Sequence, residues 1–454
     1  MTALLFDRAT LHRRYGAGES PLVVVDDVLE RLAEVGDPGI FLHVLARDRL
    51  RDLARALPKF DPVRYPLWGL PFAIKDNIDL AGTPTTAACP GYAYTPEESA
   101  PVVSRLLAAG AIPIGKTNLD QFATGLVGVR TPHPVPRNAC DPTRVPGGSS
   151  SGSAVAVATG IVTFSLGTDT AGSGRIPAAL NNIVGLKPTV GLLSTRGVVP
   201  ACRTLDCVSV FALNVADASA VLDCASGFDE RDAYSRNIAC DERAVRRLAV
   251  PRPQDLLFFS DRAAAGAWDA AIGQLSRCDV HIAPIDMSPF FAVARLLYEG
   301  PWVAERRAAV GRFMDEHAAA MHPVTREILD GAARYTAVDT FNALYRLQDL
   351  RRAADQALAP FDALVVPTAP IFPTLADLAA DPIGPNSRLG TYTNFVNLLD
   401  LAAIALPGPW RGDGLPAGIT LIGRAGSDYG LAALGQRFFP ANGGRAARAS
   451  RKEN

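Results

Sequence analysis

Histidine and clustered metal ligands are scarce in this sequence. Its 454 residues include six histidines and seven cysteines, and neither an HExxH pattern nor a CxxC pair with metal spacing occurs. Zinc sites need such clusters, and a Ser-His-Asp triad needs a well-placed histidine, yet no histidine lies in a glycine-rich loop. The sequence therefore predicts no metal site and disfavours a histidine-based triad. The scattered, odd number of cysteines predicts free thiols in a reducing compartment.

Long apolar runs and nucleotide-binding loops are missing too. No uninterrupted apolar run approaches the roughly 20 residues that span a bilayer. Neither a G-x-G-x-x-G loop after a strand nor a Walker A lysine pattern is present, so no cofactor is predicted. The net charge of −1 argues against nucleic-acid binding. Because Asp7 and Arg8 interrupt the N-terminus and no cleavage pattern follows, we expect a cytoplasmic protein.

The composition does support a sizeable core, with 48% hydrophobic and 20% charged residues. Apolar segments of strand and helix type alternate along the chain, which predicts a single large α/β domain over residues 1–439, with a central mixed β-sheet flanked by helices. Residues 440–454 are rich in glycine, alanine and arginine without apolar periodicity, which predicts a disordered basic tail.

Three local predictions concern individual elements. Leu22–Leu57 has helical periodicity that the cluster Gly36–Gly39 divides into two helices. Leu67–Lys75 is a mostly apolar segment that leads into a cluster of polar residues, which is typical of a buried strand that ends at Lys75. Pro301–Arg326 is predicted to be helical, with arginine and glutamate on the exposed face. The polar segment Gly115–Gly125 is expected to line a pocket, with an ordinary surface connection as the alternative.

Gly147–Arg175 is the most distinctive stretch, reading GGSSSGSAVAVATGIVTFSLGTDTAGSGR. Two glycine- and serine-rich loops enclose the apolar segment Ala154–Leu166, which a flexible linker would not contain. A helix followed by a strand in this segment brings both loops to one end of the core. Lys75 is a candidate base, because burial lowers the pKa of a lysine; a solvated surface lysine is the alternative.

The loops GGSSSGS and GTDTAGS resemble those of the amidase signature family. The resemblance implies a Ser–cis-Ser–Lys triad in which Ser173 is the nucleophile, Ser149 after a cis peptide bond the bridging serine, and Lys75 the base. It implies a structural ion pair between Asp169 and Arg175. It also implies an oxyanion hole made by the backbone N–H groups of Thr170, Ala171, Gly172 and Ser173.

Four further segments resemble the allophanate hydrolases of that family: Asn118–Gly128, Ser194–Arg203, Leu297–Arg306 and Gly390–Asn397. This resemblance implies that an amide C–N bond of a small carboxylated urea is cleaved with release of ammonia. It implies substrate contacts by Gln121, Gly125, Ser150, Tyr298 and Arg306. The eight-residue spacing of Tyr298 and Arg306 suits one helical face, although by spacing alone Arg306 reads as a solvated helix arginine.

Two departures from the resemblance affect the prediction. His133-Pro134 stands where relatives tend to have an aromatic residue and glycine, which we expect to alter a nearby loop. Allophanate hydrolases commonly have a second, C-terminal domain, and since this sequence stops soon after Phe439 we expect no counterpart in it, which leaves open a homodimer and a separate chain that replaces this domain. The alternatives are a related small-amide hydrolase, such as a carboxybiuret hydrolase, and a non-catalytic subunit of a complex.

Overall fold

The computed structural model describes residues 6–241 and 243–441. Within this part of the chain, one sheet contains eleven strands: β1 (Phe41–Val44), β2 (Pro71–Lys75), β3 (Ile112–Thr117), β4 (Phe164–Asp169), β5 (Val184–Lys187), β6 (Cys207–Ala212), β7 (Arg247–Pro251), β8 (His281–Ile285), β9 (Ala363–Pro367), β10 (Leu401–Pro407) and β11 (Gly418–Arg424). Their order in the sheet is β1-β3-β2-β4-β6-β5-β10-β11-β9-β7-β8. Parallel and antiparallel neighbours both occur, so the sheet is mixed, as predicted.

Helices cover the sheet. In the described residues they are α1 (Arg8–Gly16), α2 (Pro21–Val35), α3 (Arg47–Arg55), α4 (Pro101–Ala108), α5 (Ser151–Ala158), α6 (Ile176–Leu180), α7 (Val215–Ala225), α8 (Arg262–Leu275), α9 (Ser288–Glu299), α10 (Trp302–His317), α11 (Pro323–Asp330), α12 (Ala337–Leu358), α13 (Leu375–Ala380), α14 (Gly384–Leu389), α15 (Phe395–Leu398) and α16 (Asp428–Ala441). None of them is both long and apolar enough to cross a bilayer.

The core lies on both faces of the sheet. Along β9, Ala363 and Val365 belong to a cluster that includes side chains of α8 and α16, whereas Leu364 and Val366 belong to one that includes side chains of α9 and α12. Such alternation is what the two-residue period of a strand produces. The sheet is therefore enclosed by two helical layers, and α9 lies on the second of them.

The centre of the sheet positions the residues of interest. β2 and β4 are parallel neighbours, with Ile74 paired to Leu166. Their carboxyl ends, at Lys75 and Asp169, therefore reach the same edge of the sheet. The loop before α5 and the loop after β4 meet there, as predicted from the order of loop, helix, strand and loop.

One element prediction was wrong, and another was confirmed except at one break. Phe41–Val44 is a strand rather than part of a helix, because it pairs antiparallel with β3 at the edge of the sheet. Pro301–Arg326 is not one helix: α10 ends at His317, a 3₁₀ turn follows, and α11 starts at Pro323. Proline disfavours helical backbone in the residue before it, here His322. At the end of the chain, α16 runs two residues past Phe439, and residues 442–454 lie outside the described residues.

Candidate active site

Lys75 ends a fully buried strand, and its own exposure is 0%. Its Nζ donates hydrogen bonds to Ser149 Oγ and Thr168 Oγ1, each at 2.7 Å. Burial lowers the pKa of Lys75 to about 7, although the charges of Asp120, Asp206 and Asp169 act in the opposite direction. A large fraction of these amines is therefore neutral near pH 7, and the alternative of a solvated surface lysine does not hold.

Ser149 and Ser150 lie between Gly148 and helix α5. The peptide bond between Gly148 and Ser149 is cis, as the resemblance implied. A Cβ atom on Gly148 would lie 2.1 Å from Asp120 Oδ2, so a larger residue does not fit. Ser150 Oγ donates to the carbonyl of Thr168 at 3.2 Å and lies 3.4 Å from its backbone N–H. Ser150 thus joins the loop before α5 to β4, because both contacts of its hydroxyl are with backbone atoms of Thr168.

The loop that contains Ser173 is held by a buried ion pair. Arg175 donates from Nε and Nη2 to the two carboxylate oxygens of Asp169, both at 2.9 Å. The same carboxylate accepts the backbone N–H groups of Gly172 and Gly174 at 3.0 and 2.9 Å. Burial alone would raise the pKa of Asp169, but the charge and hydrogen bonds of Arg175 hold it below its ordinary value. The pair positions the loop.

The predicted oxyanion hole needs one correction. Because the N–H of Gly172 donates to Asp169, it is not available to an oxyanion. The backbone N–H groups of Thr170, Ala171 and Ser173 have no hydrogen-bond partner among the described residues. Gly172 has instead a conformational role: its φ is 142°, and a Cβ atom there would lie 2.5 Å from Thr393 Oγ1. Three of the four predicted donors remain free.

The segment Gly115–Gly125 is buried and adjoins Ser173, so it is not a surface connection. Ser173 Oγ lies 3.5 Å from the carbonyl oxygen of Gly125, a long contact. Gln121, in contrast, uses its side chain within the protein: Nε2 donates to the carbonyls of Ala88 and Ala320 at 3.2 and 3.4 Å, and Oε1 accepts from the N–H of His322 at 2.7 Å. These bonds hold the turn after α10, and a substrate contact by Gln121 stays a prediction.

Tyr298 and Arg306 meet, but not on one helix as their spacing suggested. Tyr298 is in α9 and Arg306 in α10, and the chain breaks helical geometry at Gly300-Pro301. Arg306 Nη2 donates to Tyr298 Oη at 3.3 Å, and the guanidinium carbon lies 5.2 Å from the centre of the tyrosine ring. Arg306 is 2% exposed, so it is not a solvated helix arginine.

Three residues of the site were not identified from the sequence. Thr168 contacts Lys75, and it lies inside the motif GTDTAGS without having been given a role. Asp206 accepts a hydrogen bond from Thr170 Oγ1, and burial raises its pKa to about 6. Arg130 lines a cavity beside Tyr298. Nothing in the local pattern marks Asp206 or Arg130, because only tertiary contacts bring them to the site.

The described residues contain no group of three or more histidine, cysteine, aspartate or glutamate side chains that could hold a metal ion. Cys89, Cys202, Cys207 and Cys278 are buried free thiols. The groups brought together around Ser149 are hydroxyls, the amine of Lys75 and backbone groups.

The chain is similar to known proteins over most of its length. A family model described as Amidase matches residues 24–431. The urea amidolyase of Saccharomyces cerevisiae is 48% identical over 379 residues, 82% of this chain and 21% of that protein. The chain thus spans about a fifth of the length of the curated urea amidolyases that it matches.

Two further relatives match over more of their own length. One subunit of the glutamyl-tRNA(Gln) amidotransferase of Symbiobacterium thermophilum is 34% identical over 465 residues, 93% of this chain and 94% of that protein. The solved structure of Kluyveromyces lactis allophanate hydrolase has a TM-score of 0.93 and 40% identity, and the match covers 100% of this chain and 76% of that one.

Proposed function

The chain belongs to the amidase family, hydrolases of amide C–N bonds, and on this premise we propose that it hydrolyses allophanate with release of ammonia. The observation that carries the proposal is the contact between Lys75 Nζ and Ser149 Oγ, made by a fully buried lysine whose pKa burial lowers to about 7. A neutral amine within hydrogen-bond distance of a hydroxyl is the pairing that general-base activation of a serine requires.

In the proposed mechanism Ser173 is the nucleophile and Ser149 relays its proton. Neutral Lys75 accepts the proton of Ser149, Ser149 accepts that of Ser173, and Ser173 Oγ attacks the amide carbonyl. The free N–H groups of Thr170, Ala171 and Ser173 stabilise the oxyanion. The proton then passes to the leaving nitrogen, ammonia departs, and water hydrolyses the acyl-enzyme to the N-carboxylated carbamate.

Thr168 has a proposed role in orienting the base. Lys75 donates one hydrogen bond to Thr168 Oγ1 at 2.7 Å. When the amine is neutral, this bond occupies one N–H and leaves the lone pair free to face Ser149 Oγ, also at 2.7 Å. We therefore assign Thr168 as a positioning residue for Lys75.

The proposed substrate follows from the buried cation. Arg306 presents a guanidinium, supported by Tyr298, which suits the carboxylate of a small carboxylated urea. A carboxybiuret-type amide carries the same carboxylate and is the alternative substrate. The likeness to one component of an amidotransferase supports a second candidate, a subunit of a complex, for which a homodimer or a separate partner chain is proposed.

Ammonia release tests this proposal. Purified protein is offered allophanate, biuret and a simple aliphatic amide; we expect release from allophanate and a fall of roughly 10⁴-fold or more in kcat for Ser173→Ala, because the nucleophile is removed. Ser165→Ala is the matched control, a buried serine of β4 that bonds only the backbone of Ser153. Full activity of Ser173→Ala would contradict the mechanism, and folded wild-type protein inactive on every amide would favour the role in a complex.

A further inference from the structure

Two buried arginines lack a carboxylate partner. The described residues contain four buried arginines, of which Arg175 pairs with Asp169, and Arg411 pairs with Asp261 and Asp413. Arg130 and Arg306 are each 2% exposed, and no aspartate or glutamate of the described chain lies within ion-pair distance of either. Burying a charge is costly unless it is paired. The two unpaired arginines therefore differ from the structural ones.

Both unpaired arginines contact the same residue, Thr124. Arg130 Nη1 donates to the carbonyl of Thr124 at 3.0 Å, and its Nη2 donates to the carbonyl of Pro382 at 3.0 Å. Arg306 Nη1 lies 3.4 Å from Thr124 Oγ1. The Nε atoms of both arginines are buried and have no partner in the described structure. Two positive charges thus flank one turn, and each guanidinium has a buried Nε–H group without a partner in the described structure.

That turn leads to the proposed nucleophile. Gly125 follows Thr124, and its carbonyl is the group next to Ser173 Oγ. Arg130 and Tyr298 also line an open cavity of about 740 Å³. The carboxylates that line this cavity belong to Glu299, Glu327 and Asp330, all exposed. Arg130 is therefore the buried cation of this cavity, whereas its other charged lining groups, Arg295, Arg334 and the three carboxylates, are exposed.

The buried acid Asp120 does not neutralise Arg130. Asp120 raises the pKa of Arg130, but the stronger effect of burial lowers it from its ordinary value. The carboxylate of Asp120 is already engaged, accepting the backbone N–H groups of Gly128 and Arg130, each at 2.9 Å. Arg130 thus keeps a charge that is only partly compensated within the protein.

We propose that Arg130 is a second cation of the substrate-anion subsite, so that the carboxylate of a small carboxylated amide is bound in the field of two guanidinium groups. The identity of the substrate rests on the function proposed above. Arg306 makes the contact with the carboxylate. Arg130 is a positioning residue: its Nη atoms hold the turn at Thr124, and its charge attracts the anion.

The test compares an anion with its neutral counterpart. In the inactive Ser173→Ala protein, calorimetry measures binding of malonamate, which has a CH₂ group in place of the central N–H of allophanate, and of the uncharged malonamide. Arg130→Gln is expected to weaken malonamate binding about 10-fold to 100-fold while malonamide binding changes by less than about 3-fold. Arg130→Lys, which retains the charge, is expected to restore most of the malonamate affinity.

Arg144→Gln is the matched control. Arg144 also donates to a backbone carbonyl, that of Phe372, but it has an acidic partner in Asp141 and does not line the cavity. We expect both ligands to bind this control as they bind the parent. Equal losses for malonamate and malonamide in Arg130→Gln would show a packing role and overturn the proposal.

Two outcomes separate this inference from the proposed function. If the Ser173→Ala protein binds malonamate with the predicted charge dependence but the wild type hydrolyses no amide, the subsite stands and the function fails. If allophanate is hydrolysed but Arg130→Gln leaves its KM unchanged, the subsite fails alone. Should Arg130→Gln not fold, Arg130→Lys decides: retained, salt-sensitive malonamate binding supports the proposal, and equal loss of both ligands overturns it.

Discussion

Lys75 illustrates how one side chain is tuned by its surroundings. Its amine is enclosed by two hydroxyls, Ser149 and Thr168, and no carboxylate of the described chain lies within ion-pair distance. Burial therefore dominates and favours the uncharged form. The unfolded chain, in which the amine has its ordinary pKa of 10.5, binds this proton over a wider pH range than the folded chain.

The first prediction concerns pH. Since only the neutral amine can act as a base, kcat/KM should rise about tenfold per pH unit below neutrality and level off above an apparent pKa near 7. A pH–rate profile with no inflection between about pH 6 and 8 would contradict the assignment of Lys75.

The second prediction is that the free energy of unfolding also depends on the ionisation of Lys75. Between about pH 7 and 10.5 the unfolded chain binds more protons, so the penalty on the folded state is full below pH 7 and fades as the pH rises. Lys75→Met should therefore raise the free energy of unfolding by roughly 1–3 kcal/mol at pH 6, with a smaller gain at pH 10. Denaturant titrations measure this, with exposed Lys59→Met as the control that should show no such trend.

At the residue scale, the sequence motifs predicted those side-chain contacts that are made within the loops themselves. Lys75 contacts Ser149 and Arg175 pairs with Asp169, as the resemblance implied, while the catalytic roles of these residues stay predictions. The sequence could not show that the N–H of Gly172 would be taken by Asp169, or that Gln121 would bond only to backbone, because both depend on the folded turns around them. Asp206 was missed for the same reason.

At the scale of elements, the junction of α9 and α10 determines how Tyr298 and Arg306 meet. Gly300 is extended, with φ −122° and ψ −177°, and Pro301 precedes the first residue of α10. A Cβ atom on Gly300 would lie 2.4 Å from the backbone oxygen of Leu296. A larger residue would therefore displace one helix relative to the other.

The third prediction follows from this contact. Gly300→Ala should raise KM for carboxylated substrates by about 10-fold, with a smaller change in kcat, because Arg306 moves while the catalytic loops do not. Gly311→Ala, within α10, is the control, because a Cβ atom on Gly311 would lie 3.4 Å from its nearest neighbour, Arg307 Nε. This substitution should leave KM unchanged and stabilise the helix by up to about 1 kcal/mol. An unchanged KM in Gly300→Ala would mean that this junction does not position Arg306.

Strands at the centre of the sheet were easier to predict than its margins. β2 was recognised because a continuous apolar run ends in polar residues. β1 was not predicted, because its four residues show no clear alternation of apolar and polar side chains. Pairing with β3 overrides the helical periodicity of this segment. The helical pattern of Pro301–Arg326 continues on both sides of the turn between α10 and α11, and Pro323 is the one residue that marks where the second helix begins.

At the scale of the whole molecule, both helical layers depend on the same strands. Neighbouring residues of β9 contribute to different core clusters, so loosening of one layer is transmitted to the other. The α/β class and the mixed sheet could be predicted from the alternation of apolar segments. The strand order could not, because it depends on long-range pairings such as β10 with β5 that no local pattern encodes.

The fourth prediction tests this mutual dependence. Phe438 in α16 is fully buried in the first cluster, so Phe438→Ala should lower the free energy of unfolding by about 3–5 kcal/mol. Urea titrations followed by circular dichroism and by residual activity should shift together. Gln436→Ala, exposed on the same helix, should change the free energy by less than about 0.5 kcal/mol. Loss of activity well before loss of helix would indicate independent units.

Lys75 ends β2 and Ser173 follows β4, whereas Tyr298 and Arg306 stand on a helix pair outside the sheet. On the proposed roles, bond cleavage and a large part of the selectivity are thus encoded in separate stretches of the chain, with Arg130 on a third. A directed-evolution library confined to residues 288–317 would explore new amide substrates while every variant inherits the same hydrolytic apparatus. The architecture is in this sense retargetable: selection for a different acid or amide would begin in α9 and α10 and leave the strands untouched.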